Sequence, residues 1–275
     1  FDTSISPEAA KDLMEAAEQL TSHKVTRVVN SHYHEDHVRS NQVFSPDVDI
    51  ISTIWTREAI ARNEPEEISW EKENVPKGII DAQLKLDAEK DPKRRQELAL
   101  LIVYYRAMSE SHPHLKTRLP NVTFEHKLVI YGTQRTVELL PFAGHTASDI
   151  VLYLPEEKIA FMGDLLFINI HPYLPSGFPE DWKQSLNTIE ALGIRTAVSG
   201  HGPVGRSADL SVMTQYIQSL EDIAANMVTS GKSAKEVYLQ PVPSPFDTWL
   251  SPFDDFFFKN LEFLYKRATE RTEKK

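Results

Sequence analysis

Four side chains that can bind metal ions stand within six residues of one another, directly after a short apolar segment. Segment 25–31 is rich in valine and predicts a buried strand, and the four follow it as His32, His34, Asp36 and His37. In an extended chain, residues two apart face the same way, so His32 and His34 are predicted to reach one metal ion. A turn of the chain then aims Asp36 and His37 at a second position nearby.

Three further residues of the ligand type each follow a predicted strand and stand beside a glycine. They are His145, Asp164 and His201. Strand ends converge on one edge of a sheet, and a neighbouring glycine allows close approach of the backbone because it has no Cβ. Together with the histidine motif, these residues predict a complete set of metal ligands.

The chain contains no cysteine, which excludes disulfides, thiolate nucleophiles and every cysteine-bound metal centre. Any metal must therefore be held by imidazoles and carboxylates. This donor set suits Zn²⁺ and also admits iron or manganese. The sequence therefore predicts two divalent metal ions, with zinc favoured.

The elements that must position these residues alternate between helix and strand, which predicts an α/β fold. Ser6-Pro7 predicts the start of a first helix, and a charged, helical stretch runs from residue 55 to about 118. The apolar face of the first helix is predicted to contain Ala9, Leu13, Ala16 and Leu20. The other predicted elements are strands at 48–53, 122–130, 136–142, 150–154, 158–162 and 196–199, and helices at 179–192, 210–227 and from 251 onwards.

The motif His-x-His-x-Asp-His at 32–37, with the later His145, Asp164 and His201, resembles the metallo-β-lactamase superfamily. The resemblance implies an αββα sandwich with a dinuclear site at the rim between two sheets. The implied ligands are His32, His34 and His145 for the first metal, Asp36, His37 and His201 for the second, and Asp164 as the bridge between them.

The resemblance covers nearly the whole chain outside a helical insertion at 55–120, so we expect one domain over residues 1–275 that contains this insertion. Two stretches depart from the family pattern. Arg39-Ser40-Asn41 replaces the usual Gly-Gly-Asn, and the loop that leaves the site is expected to take a different path. The usual Asp-Thr-Gly stretch is represented by Asp2-Thr3-Ser4, which implies that the N-terminal strands of the family are missing here.

The resemblance implies a hydrolase in which a hydroxide that bridges two metals attacks an ester, thioester, lactone or amide. Asp36 is the expected catalytic residue, because it can hold that hydroxide and then pass its proton to the leaving group. Asp149 and Thr146 are expected to support the metal ligands from behind. His171 and Tyr173 are expected to contact the substrate.

Three alternative functions remain open. The β-lactamases that resemble this motif normally lack the bridging aspartate represented here by Asp164, so β-lactam hydrolysis is secondary. A mononuclear iron enzyme like the persulfide dioxygenases shares the histidine motif. A non-catalytic binding protein on the same fold is the third alternative.

The chain has 30 Lys and Arg against 40 Asp and Glu, a net charge of −10, which disfavours nucleic acid and anionic membranes as partners. It has no run of roughly 18 to 20 apolar residues, so we expect a soluble protein, cytoplasmic or periplasmic after removal of a signal, that binds a small-molecule substrate. The C-terminal helix has extra aromatic residues, which predict a homodimer contact or a covering loop. They are Phe256, Phe258 and Phe263.

Overall fold

The computed structural model describes residues 1–253 and 255–273, which form two compact units. Unit 1 comprises Phe1–Val129 and Leu139–Pro141, and unit 2 comprises Ile130–Glu138 and Phe142–Lys275. Both units contain helices and strands, so the predicted α/β class is confirmed. The single domain expected over residues 1–275 stays a prediction.

Seven α-helices and nine β-strands lie within the described residues. The helices are α1 Pro7–Thr21, α2 Glu35–Val38, α3 Ile54–Ala88, α4 Pro92–Ser111, α5 Pro179–Glu190, α6 Ser207–Thr229 and α7 Phe256–Glu273. The strands are β1 Arg27–Val29, β2 Asp49–Thr53, β3 Val122–Phe124, β4 Leu128–Tyr131, β5 Thr136–Phe142, β6 Asp149–Leu154, β7 Ile159–Phe161, β8 Thr196–Val198 and β9 Val204–Arg206.

Unit 1 is built on a parallel sheet with the strand order β1-β2-β3. Val28 of β1 pairs with Ile50 of β2, and both are buried in one cluster with Phe44 and Val48. Such strands are apolar along their length because a parallel sheet is covered on both faces. The histidine motif follows β1 directly, so this sheet fixes where the motif begins.

Helix α1 begins as predicted, since the Ser6 hydroxyl accepts a hydrogen bond from the Ala9 amide at 3.2 Å. Its predicted apolar face is wrong, because Leu13 and Leu20 are 53 % and 87 % exposed. Ala10 is buried instead, and Met14 packs against the sheet cluster. The buried stripe is therefore rotated by one residue, about 100°. The alanine-rich sequence offers two weak stripes, and contact with the sheet selects one of them.

Helices fill most of the segment predicted as a helical insertion, residues 55–120. They are α3 and α4, which pack against each other. The spacing of apolar residues in α4 predicts one inward face, and four of its five residues are buried whereas Tyr105 is half-buried. The four are Leu98, Leu101, Ile102 and Met108. That the segment is an insertion within the family fold stays a prediction.

The strand predicted at 122–130 is two strands, β3 and β4, which belong to different sheets. The polar residues Glu125, His126 and Lys127 separate them and form a bend. Without the partner strands in view, the apolar residues on both sides of this bend read as one continuous strand.

The second sheet has the order β4-β5-β6-β7-β8-β9. Strands β6 and β7 are antiparallel, and β7 and β8 are parallel because helix α5 connects them. Strand β9, which the sequence patterns did not predict, pairs antiparallel with β8. Strands β5, β7 and β8 each end three residues before a predicted metal ligand.

The apolar residues of α5 and of α6 are spaced along one face of each helix, which predicts that this face is buried, and it is. These faces contain Trp182, Leu186 and Ile189 on α5, and Leu210, Met213, Ile217, Leu220, Ala224 and Met227 on α6. Helix α7 begins five residues after its predicted start at Ser251, whose hydroxyl accepts a hydrogen bond from the Phe256 amide. No helix among the described residues has the length and apolar character needed to cross a bilayer.

Two of the extra aromatic residues of α7 have aromatic partners within the chain. Phe256 packs against Tyr173 with ring centres 5.2 Å apart, and Phe258 stacks on Tyr238 at 5.6 Å. These contacts cover part of the aromatic surface that suggested a homodimer. The homodimer itself stays a prediction.

Candidate metal centre

The first two histidines of the motif in unit 1 present their ring nitrogens to each other. After β1 the chain bends at residues 32–34, and His32 Nε2 lies 3.0 Å from His34 Nδ1. His32 is fully buried, and Ser31 Oγ lies 2.9 Å from its other nitrogen, Nδ1. Two imidazole nitrogens that converge in this way are suited to share one metal ion.

Asp36 and His37 lie in α2, the single turn of helix that follows. His37 Nε2 is 3.4 Å from Asp36 Oδ2, so the two side chains point to a common position. This turn of helix is the change of direction that the sequence predicted after His34. Unit 1 thus contributes two pairs of ligand-type side chains, His32 with His34 and Asp36 with His37.

In unit 2 one carboxylate oxygen lies between two imidazoles. Asp164 Oδ2 is 3.4 Å from His145 Nε2 and 3.4 Å from His201 Nε2. Asp164 and His145 are buried, whereas His201 is about one-third exposed. A carboxylate oxygen within 3.4 Å of two imidazole nitrogens is placed to share metal ligation with both of them.

Glycine is required where β8 leads into His201. A Cβ on Gly200 would clash with the Asp164 carboxylate and lie 2.7 Å from the carbonyl of Gly163. The absence of a side chain at residue 200 therefore allows the backbone before His201 to approach Asp164. The glycine that the sequence marked beside the ligand has a geometric reason.

Asp149 and Thr146 hold the loop that contains His145. Asp149 accepts hydrogen bonds from the Thr146 amide at 2.9 Å and from the Thr146 hydroxyl at 2.8 Å. Burial raises the pKa of Asp149 from 3.8 to about 8. Both residues were predicted to support the ligands from behind, and these contacts support His145 through the backbone of its loop.

Asp2 contacts the motif more directly, although sequence analysis gave it no role at the site. Its Oδ2 lies 2.9 Å from His37 Nδ1, and it accepts hydrogen bonds from the Ser31 hydroxyl at 2.8 Å and the Ser31 amide at 2.6 Å. Through Ser31 it also orients His32. A carboxylate that accepts from the far nitrogen of a ligand histidine fixes the tautomer and the ring orientation. The signal was the Asp2-Thr3-Ser4 stretch, read only as a family remnant.

We expect Asp2→Asn to weaken metal binding by about 10–100-fold while the protein stays folded. Asparagine keeps the size of the side chain and one acceptor oxygen, but it removes the charge that holds His37 and Ser31. Calorimetric titration of the metal-free variant with Zn²⁺ measures the change. Asp12→Asn, on the exposed side of α1, is the control and should bind metal like the wild type.

The two residues predicted to contact substrate lie among the aromatic residues of unit 2. His171 is buried, with its Nδ1 3.0 Å from the Tyr216 hydroxyl and its ring close to those of Trp249 and Phe257. Tyr173 is half-buried, and burial raises its pKa above the usual value of 10.0. These are the surroundings of packed core side chains, and the substrate role of both residues stays a prediction.

Arg39, where the resembled family pattern has glycine, is 1 % exposed. Its Nη1 and Nη2 donate to Glu71 at 2.7 and 2.9 Å, and its Nε lies 3.1 Å from Glu64 Oε1. Glu71 Oε2 is also 2.9 Å from His112 Nε2. With Glu67, 4.0 Å from Arg39, these residues form what we call the Arg39 cluster. The cluster joins the segment after the histidine motif to helix α3.

Asn41, the third residue of this departing stretch, keeps the chain close to the end of β1. Its amide exchanges hydrogen bonds with that of Asn30, at 2.8 and 3.0 Å, and donates to the carbonyl of Arg118 at 3.1 Å. Thr3 donates to the same Asn41 oxygen at 3.1 Å. A buried amide with its hydrogen bonds made in this way fixes the path of the loop.

Glu67 makes the stability of the Arg39 cluster depend on pH. Burial, and then the charge of Glu35, raise its pKa from 4.5 to about 7, although Arg39 opposes the shift and Glu71 and Glu64 add to it. A carboxyl whose pKa is raised by folding supports the folded state fully below its unfolded pKa. That support is lost as the pH rises from about 4.5 to about 7.

We therefore expect Glu67→Gln to flatten the fall in Tm between pH 4.5 and pH 7 and to stabilise the protein at pH 8. Glutamine carries no charge at any pH in this range, so no ionised carboxylate at residue 67 opposes folding as the pH rises. Thermal unfolding measured across this range is the test. Glu73→Gln, an exposed residue of the same helix, should leave the slope unchanged. Equal slopes for Glu67→Gln and the wild type would contradict the prediction.

The donor atoms present suit a borderline divalent ion such as Zn²⁺. Each pair of close ligand atoms within a unit consists of imidazole nitrogens or of an imidazole nitrogen and a carboxylate oxygen. The far nitrogens of His32 and His37 are held by Ser31 and Asp2, as expected for metal ligands. The residues therefore fit metal ions, and the ligand types do not by themselves distinguish zinc from iron or manganese.

Comparison with known proteins gives one family and a set of similar folds. The sequence model described as the metallo-beta-lactamase superfamily matches residues 1–201. A metallo-beta-lactamase from Pontibacter korlensis is 18 % identical over 79 % of this chain and 80 % of its own, with a TM-score of 0.56. The metallo-beta-lactamase DIM-1 is 15 % identical over 79 % of this chain and 80 % of its own, with a TM-score of 0.54.

At these identities the similarity to solved structures is one of fold, and it confirms the predicted metallo-β-lactamase fold class. A search of curated protein sequences gives no match.

Proposed function

Because this chain belongs to the metallo-beta-lactamase superfamily, we propose that it is a dinuclear metal-dependent hydrolase of an ester, thioester, lactone or amide. One observation carries the proposal. Asp164 Oδ2 lies at 3.4 Å from both His145 Nε2 and His201 Nε2. An oxygen within reach of both imidazoles is what the bridging role proposed for Asp164 requires.

The proposed ligand set is the one that the family pattern implies. Two divalent ions would lower the pKa of a coordinated water and polarise the carbonyl oxygen of the substrate. The proposed ligands are His32, His34 and His145 for one ion, Asp36, His37 and His201 for the other, and Asp164 for both.

The remaining steps depend on the protein's own side chains. Asp36 is the proposed catalytic residue, because a carboxylate beside the attacking water can accept its proton and deliver it to the leaving group. Asp2 and Ser31 hold His37 and His32 in the orientation that this requires. The loop of His145 is held by Asp149, which favours a fixed position for this histidine before substrate binds.

Metal quantification followed by a panel of hydrolysis assays tests the proposal. We expect about two zinc ions per chain and turnover of an ester, thioester, lactone or amide. The panel also includes a β-lactam, because the similar solved structures carry β-lactamase names. A phosphodiester completes the panel. His34→Ala should lose metal and activity together.

Three results would overturn the proposal in different ways. Less than one metal per chain, without recovery on addition of Zn²⁺ or Mn²⁺, contradicts any metal enzyme. One iron per chain with oxygen consumption on a persulfide supports the mononuclear dioxygenase instead. Substrate binding that survives His34→Ala and Asp36→Ala, without turnover by the wild type, supports a binding protein.

A further inference from the structure

Helix α2, which contains Asp36 and His37, is too short to hold its own conformation. It has four residues, whereas helix nucleation is unfavourable and isolated helices need about 12–15 residues to become even marginally stable. The positions of these two side chains must therefore be set by contacts outside the helix.

The end of α2 is anchored to helix α3 through the Arg39 cluster. Arg39 follows His37 by two residues, and its guanidinium is held by Glu71 through two hydrogen bonds and by Glu64 at 3.1 Å. Both acids are buried, as is Arg39. A bidentate contact between a guanidinium and a carboxylate fixes the relative orientation of the two groups as well as their distance.

The start of α2 is anchored to helix α4. Glu35, its first residue, accepts a hydrogen bond from the Tyr104 hydroxyl at 3.0 Å. Burial raises the pKa of Tyr104 well above 10.0, so the hydroxyl keeps its proton and remains a donor. Asp36 and His37 thus lie between two anchoring contacts, one to α3 and one to α4.

The other pair of ligands in unit 1 is oriented from a different side. His32 contacts Ser31, which is held by Asp2, and His34 contacts His32. Trp55 at the start of α3 lies 5.6 Å from Tyr33, but this ring contact does not involve the Arg39 cluster. Asp2 and a ring contact between His32 and His37, with ring centres 4.2 Å apart, link the two pairs. Changes to the cluster should therefore act more strongly on the Asp36–His37 pair than on the His32–His34 pair.

We propose that Arg39 and Tyr104, acting through Glu71, Glu64 and Glu35, are positioning residues for Asp36 and His37. Helices α3 and α4 thereby determine the affinity of one of the two metal positions. This rests on the proposed dinuclear site. The family pattern that this chain resembles has glycine at residue 39, so the device belongs to this chain's own sequence.

Glu71→Gln and Tyr104→Phe test the proposal in the full-length protein. Each removes one anchor with almost no change in volume. The metal-free proteins are titrated with Zn²⁺ by calorimetry, and Asp36→Asn and His34→Ala identify which binding step belongs to which ligand pair. We expect both anchor variants to weaken the Asp36 step by about 10–100-fold and the His34 step by a clearly smaller factor. Glu73→Gln, on the same helix and exposed, should change neither step.

Two outcomes would overturn the inference. Both steps weakening equally would mean that the anchors support the fold as a whole. A lower Tm with both affinities unchanged would mean that they do not position the ligands. If Glu71→Gln does not fold, Tyr104→Phe decides between these results. Failure of the proposed function is a separate result, because the wild type would then bind less than one metal.

Discussion

Replacing Asp36 with asparagine lowers kcat for the proposed hydrolysis by about 10²–10⁴-fold, the range expected for loss of a group that transfers a proton in the transition state. Asparagine has the size of aspartate and keeps one oxygen, but it cannot accept the proton of the attacking water. Because Asp36 lies in the first turn of α2 beside His37, the substitution leaves the helix itself intact. Steady-state kinetics on the hydrolysed substrate of the panel measures the loss.

The size of the loss should depend on the leaving group. An amide or alkoxide leaving group needs a proton as it departs, whereas a thiolate or a nitrophenolate departs without one. We therefore expect the largest loss on amides and the smallest on thioesters or nitrophenyl esters. The comparison is made with Zn²⁺ at saturation, so that weaker metal binding by Asp36→Asn does not contribute. The same loss on every substrate would restrict Asp36 to holding metal.

Much of this site could be predicted because the residues that form it are close in sequence or stand at strand ends. The four residues from His32 to His37 follow a short apolar strand, and that pattern is local. Each of His145, Asp164 and His201 comes shortly after a strand and directly after a glycine. Their convergence within unit 2 therefore follows from sheet geometry. Local patterns of this kind can be interpreted from the sequence alone, because they do not depend on distant residues.

The supporting residues could not be predicted in the same way. Arg39 and Glu71 are 32 residues apart, and Asp2 and His37 are 35 apart. Nothing in the spacing of a lone arginine or aspartate distinguishes a buried partner from a solvated surface charge. The prediction of the inner face of α1 was wrong for a related reason. Only contact with the sheet selects one of the two weak apolar stripes of this helix.

Replacing Arg39 with methionine is expected to lower the free energy of unfolding by about 3–5 kcal/mol at pH 8, because it leaves Glu64 and Glu71 buried without their cation. Methionine fills much of the same space, so the loss comes mainly from the uncompensated charges and not from a cavity. Urea unfolding, followed by circular dichroism, measures it. Lys77→Met removes an exposed ion pair on α3, the helix that contains Glu64 and Glu71. It should lower the free energy of unfolding by less than about 0.5 kcal/mol.

The sign of the pH dependence separates this cause from simple loss of packing. Burial already raises the pKa values of Glu64 and Glu67, the latter to about 7, and loss of Arg39 raises both further. Carboxyls with raised pKa values accept protons in the folded state at low pH, so the penalty should shrink toward pH 5 and grow as the pH rises. A packing defect would give the same loss at both pH values. Adding Glu64→Gln and Glu71→Gln to Arg39→Met should restore much of the stability at pH 8, because the carboxylate of the cluster that then lacks Arg39 is Glu67, which is partly exposed.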